Sequence, residues 1–178
     1  MKIAARVPFI LGAAPALALA LLAGCATPAG PQAVAELKPT TGSSTSGTVR
    51  FVQSGAAVKV SGEIRGLKPN AEHGFHVHEK GDCSSGDGMS TGGHFNPTAQ
   101  PHGQHGPGPH HTGDLPSLKA NANGVAAFSF QTSSIAVGSG TSNVVGRGLI
   151  VHRDPDDYKT QPTGNAGPRL ACAVIARG

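Results

Sequence analysis

At 178 residues the chain has material for one domain and a tail. Its formal charge is only +4, it lacks tryptophan, and its aromatic residues are six phenylalanines and one tyrosine. This composition excludes a basic nucleic-acid groove or a platform for stacked bases, so nucleic acid is not expected as a partner.

The chain opens with an export signal. Lys2 and Arg6 precede an apolar run over residues 7–24, which ends in small residues before Cys25. A basic head, an apolar middle and a small-residue end describe a leader over 1–24. Its last turn, LAGC (22–25), resembles a bacterial lipobox, whose cysteine takes a lipid and becomes the new N-terminus. An ordinary leader cut between Ala26 and Ala29 is the alternative. A permanent span is disfavoured by the Ala-rich run and the Pro and Gly that follow it. Three cysteines, Cys25, Cys83 and Cys172, make an odd set for an exported protein. A lipid on Cys25 would leave the other two free to pair in an oxidising compartment. The expected location is therefore the bacterial cell envelope, facing the periplasm, with the lipid anchored in a membrane. Loss of the leader removes Lys2 and Arg6, lowers the formal charge to +2 and leaves 154 residues, enough for a core.

Residues 25–33 are rich in Pro, Gly and Ala and read as a tether, with a domain expected over 34–178. Short segments rich in β-branched residues then recur: TVRFVQ (48–53), AVKVSGEIRGL (57–67), GFHVHE (74–79), GVAAFSFQTS (124–133), GRGLIVH (146–152) and RLACAVIA (169–176). Several alternate apolar with polar, as half-buried antiparallel strands do. QSGA, KPNAEHG and NANG supply turns between them. An all-β sandwich or barrel is predicted. Residues 79–118 break the pattern, running about forty residues without a clear strand and carrying five of the nine histidines. So long a loop inside a domain is usually functional, and something other than a hydrophobic core is expected to hold it.

Side chains at i and i+2 of a strand share a face, so His76 and His78 can present two nitrogens to one atom while Val77 faces the core. Alone, such a pair is better explained as two half-exposed strand positions. It is not alone: His94, His102, His105, His110, His111 and Asp114 follow in the loop, and His152 closes GRGLIVH. Imidazole suits copper and zinc, and imidazole with carboxylate suits zinc. A Gly/Pro/His loop that binds metal loosely, or not at all, is the plainer reading of the loop by itself.

GFHVHE, GGHFNP, the H-x-G-D-L run at 111–115 and GNAGPRLAC, in this order, resemble the Cu,Zn superoxide dismutase family in its exported bacterial form. The likeness runs from about Val34 to Ile175. It implies a Greek-key, immunoglobulin-like sandwich or flattened barrel with a long metal-binding loop and a second active-site loop. It implies dismutation of superoxide to dioxygen and hydrogen peroxide, with one copper and one zinc per subunit. Carried over by position, His76, His78, His94 and His152 would hold copper, and His94, His102, His111 and Asp114 would hold zinc. His94 would bridge the two and, with Arg169, take part in catalysis. Asp156 would join His76 to His102, and Cys83 would pair with Cys172.

Four imidazoles suit a redox-cycling copper, and three with a carboxylate suit a closed structural zinc. His110 and His111 are adjacent and cannot easily both serve; the spacing favours His111, with His110 as the alternative. His105, His110 and His73 read as surface or turn histidines, and Asp154 and Asp157 as solvated neighbours. The segment 83–94 is longer than in the eukaryotic enzymes. Whether Lys159 guides the substrate, and whether the chain is a monomer or a homodimer, stay open. The rival reading is a non-catalytic copper- and zinc-binding envelope lipoprotein.

Overall fold

The computed structural model describes Met1 and residues 30–178. The expected leader, Cys25 and most of the tether lie outside the described residues. Ten strands and one 3-10 turn follow in chain order: β1 (Gln32–Pro39), β2 (Ser46–Ser54), β3 (Ala57–Arg65), β4 (Glu72–His73), β5 (Phe75–His78), the turn Met89–Thr91, β6 (Leu118–Lys119), β7 (Ala126–Thr132), β8 (Gly148–His152), β9 (Arg169–Val174) and β10 (Ala176–Arg177). The main sheet has the order β5-β8-β9-β1-β2-β3-β7, with β10 added to β1, and every strand pair in it is antiparallel. β3 and β5 follow one another among the longer strands yet lie far apart in this order, as do β7 and β8. These are the long crossings of a Greek key. The all-β fold expected from the sequence is found. Among the described residues no helix is long and apolar enough to cross a membrane.

Period-two burial sets the inner face. β2 buries Val49 and Phe51 and turns Arg50 outward; β3 buries Val58, Val60 and Ile64. β1 joins the two halves of the sheet, pairing with β2 over Gln32–Leu37 and then with β9 at Lys38 and Pro39. It begins at Gln32, two residues before the domain boundary read from the sequence.

β5 and β8 are buried at every position. Phe75 and Val77 belong to the core, so His76 and His78 must be covered from the other side. The cover is the segment 79–118. It hydrogen-bonds along the edge of β5 through Val77 N to Gly113 O (2.9 Å), Phe95 N to Val77 O (2.8 Å) and Glu79 N to Gly93 O (3.0 Å). Phe95 and Leu115 insert into the core. The expectation that no hydrophobic core holds this loop is thus corrected: two apolar plugs and a backbone ladder hold it as well. Cys83 and Cys172 form a disulfide across a sequence separation of 89, tying the loop to β9. Closing a chain segment of that length stabilises the fold by about 4–5 kcal/mol through lost unfolded-state entropy.

Candidate metal centre

Three pieces of backbone deliver the candidate ligand side chains. β5 presents His76 and His78 on one face. β8 delivers His152 at its end, where a register shift between Val151 and His152 re-aims the side chain. The loop returns His94 beside His78 and Asp114 beside His76 through single β-bridges. Two donor groups result: His76, His78, His94 and His152, and His94, His102, His111 and Asp114. Within each group the candidate ligand atoms lie within 4.8 Å of one another, and every member is buried.

Each ring in the first group is anchored through one nitrogen. His76 Nε2 donates to Asp156 Oδ2 (2.7 Å), His78 Nδ1 to Gly92 O (2.9 Å) and His152 Nδ1 to Gly167 O (3.1 Å). His94 Nδ1 faces Asp114 Oδ1 at 2.8 Å. The opposite nitrogens, His76 Nδ1 and the Nε2 atoms of His78, His94 and His152, are buried without a protein partner. Since buried polar atoms are nearly always satisfied, four bare nitrogens in one place are what a metal-binding pocket provides. Burial lowers the His94 pKa to about 4 and holds His78 and His152 well below the ordinary value, with help from neighbouring imidazoles and Arg169. These rings are therefore neutral, the form that ligates.

The second group gathers around one carboxylate. Asp114 faces His94 Nδ1, His102 Nδ1 (3.1 Å) and His111 Nδ1 (3.4 Å), while Oδ2 also accepts the His111 N–H (2.8 Å). Burial works against its charge, but those imidazoles win and keep its pKa well below the usual carboxylate range. Burial likewise disfavours a charged His102, yet Asp114 and Asp156 outweigh it and raise its pKa to about 9. Once an ion displaces the extra proton of His102, three nitrogens and an oxygen around one point fit a tetrahedral divalent metal.

Asp156 spans the two groups, taking His76 on Oδ2 and His102 Nε2 on Oδ1 (2.9 Å). Gly164 makes room for it: a Cβ there would lie 1.9 Å from Asp156 Oδ1, and φ is +65°. Arg169 opens β9 opposite His152. Its guanidinium donates to Gly88 O (2.5 Å), Thr91 Oγ1 (2.7 Å) and Gly92 O (2.8 Å).

Other residues sit where the sequence reading did not put them. His73 is no surface histidine: β4 pairs it with Leu118, it is wholly buried, and its Nδ1 donates to His152 O (2.9 Å). His105, half-buried in a bend as a turn histidine can be, donates from Nδ1 to Asp114 O (3.1 Å). His110 bonds Gly108 O and Ser134 Oγ. Neither belongs to a donor group, whereas His111 does. Lys159 is exposed. Thr91 was missed, as was Gln161, which holds the backbone of His102 from both sides. Neither stands in a pattern that marks it.

Residues 45–175 match the family described as Copper/zinc superoxide dismutase (SODC). The chain is 47% identical over 135 residues to "Superoxide dismutase [Cu-Zn]" of Paramecium bursaria Chlorella virus 1, covering 72% of this chain and 71% of the relative. It is 45% identical over 152 residues to the protein of the same name from Saccharomyces cerevisiae, covering 81% and 96%. With a fold and two donor groups of this kind, the chain belongs to the copper/zinc superoxide dismutase family.

Proposed function

We propose that His76 Nδ1 and the Nε2 atoms of His78, His94 and His152 hold copper, and that His94 Nδ1, His102, His111 and Asp114 hold zinc. One observation carries the reading: His94 is the only residue common to both donor groups, with Nε2 bare on one side and Nδ1 beside Asp114 on the other. The reaction of the family turns two superoxide anions and two protons into dioxygen and hydrogen peroxide. When bound, copper supplies a centre that gains and loses one electron, and zinc a closed centre that does not. His94 Nε2 would hold a proton only in the half-reaction in which it does not ligate, and would give that proton to the departing peroxide in the other, the second proton coming from water. Arg169 draws in and orients the anion with the two guanidinium N–H groups not given to Gly88, Thr91 and Gly92. Purified protein should take up one copper and one zinc and consume superoxide only when copper is loaded. Stoichiometric uptake with no turnover would instead leave the metal-binding lipoprotein.

The same reading places the enzyme in the cell envelope, anchored by lipid on Cys25 and acting on superoxide that arrives from outside. Its supports are the basic head, the apolar run, LAGC, and a disulfide that fits an oxidising compartment. Cys25→Ser should abolish lipid labelling and release the protein from the membrane fraction. Undiminished labelling would remove the anchor from this account.

A further inference from the structure

The Cys83–His94 segment contains the Met89–Thr91 turn, whose last residue, Thr91, is fully buried. Thr91 is fixed on two sides. Its methyl group packs against the start of β8 so closely that a Cβ on Gly148 would lie 2.8 Å from Thr91 Cγ2, and its carbonyl accepts the Lys80 N–H at 3.0 Å. Its hydroxyl then sits between two other groups, accepting from Arg169 Nη1 (2.7 Å) and donating to Gly88 O (2.9 Å). A hydroxyl can do both at once, whereas a carbonyl can only accept. The next residue extends the chain of contacts: Gly92 O accepts from both Arg169 Nη2 and His78 Nδ1.

We propose that Thr91 is a positioning residue for Arg169, its hydroxyl setting the angle at which the guanidinium meets an anion beside His78 and His152. The inference rests on the reading of Arg169 as the anion-holding group. Arginine reaches its site on a long flexible stem, so a fixed partner at Nη1 removes freedom that would otherwise be lost when the anion binds. The methyl group and the hydroxyl have separable effects. Valine keeps the shape that packs on Gly148 and loses the hydroxyl; serine does the reverse.

The test uses azide, a small anion whose binding to the copper- and zinc-loaded protein is followed by its absorption band, alongside superoxide turnover. Thr91→Val should weaken azide binding about 3- to 10-fold, with metal content and the azide-free copper spectrum unchanged. Thr91→Ser should stay within about twofold of the parent, because the hydroxyl is retained. In an Arg169→Ala background, Thr91→Val should add nothing. Parental azide affinity in Thr91→Val would overturn the proposal, and so would an undiminished Thr91→Val effect once Arg169 is gone. Parental affinity in Arg169→Ala itself would overturn the underlying reading of Arg169, an outcome distinct from failure at Thr91 alone.

Discussion

His94→Ala should lower superoxide turnover by at least about 100-fold and change the copper spectrum, because one substitution removes a nitrogen from each donor group. In the first donor group three imidazoles remain, each still anchored by Asp156, Gly92 or Gly167. Copper should therefore still bind, in altered geometry. In the second group Asp114 loses one of the three imidazoles that hold it ionised, and zinc should bind more weakly. The variant also lacks the atom assigned to proton transfer. His105→Ala, made in parallel, is the control: it lies in the same loop, hydrogen-bonds the Asp114 carbonyl and belongs to neither donor group, so metal content and rate should stay near the parent's. A His94→Ala protein with parental activity and spectrum would refute the bridge. A His105→Ala protein short of one zinc would show that the wrong loop histidine was chosen.

Arg169→Glu should leave copper and zinc content unchanged and cut the rate at low salt by about tenfold or more. The chain's formal charge of +4 is too small to guide a small anion, so a local field must do it. Screening weakens an attractive encounter and speeds a repulsive one, so the salt dependence should flatten or invert. Arg169 also pins Gly88, Thr91 and Gly92. Arg169→Gln separates the two effects, since it removes the charge while retaining side-chain donors. Its rate should fall between the parent's and the glutamate variant's, with a flattened salt slope. If the glutamate variant keeps the parental rate and slope, substrate capture does not run through Arg169. Superoxide dismutase is itself a standard example of electrostatic steering.

The ligand-bearing segments were legible because a metal demands particular atoms at particular places, and few residue types supply them. An H-x-H strand, a returning histidine and a distant H-x-G-D leave a trace that composition alone does not make. Strands with β-branched inner positions were legible for a similar reason. β1 was not: its buried positions are Ala33, Ala35 and Leu37, and alanine carries little strand preference. The hold on the 79–118 loop was hidden because Phe95 and Leu115 are isolated apolar residues among Gly and Pro, with no period to mark them. His73 misled for the opposite reason. Its polar neighbours read as a turn, and only the pairing of β4 with β6 buries it. Thr91 acts through a contact 78 residues distant in sequence, which no local pattern encodes.

Through Asp156 the two donor groups, once loaded, should behave as one thermodynamic system. A single carboxylate orients His76 through one oxygen and His102 through the other. An ion that immobilises either ring immobilises the shared carboxylate, so part of the ordering is already done when the second ion arrives. Linkage then requires reciprocity: copper must tighten zinc binding by the same factor by which zinc tightens copper binding. Titration of each metal with and without the other measures that factor, and a value of one would show the sites to be independent. When both metals are scarce, a factor well above one leaves chiefly a mixture of empty and fully loaded molecules. Half-filled protein, which could bind metal without completing the reaction, would then be the minor species.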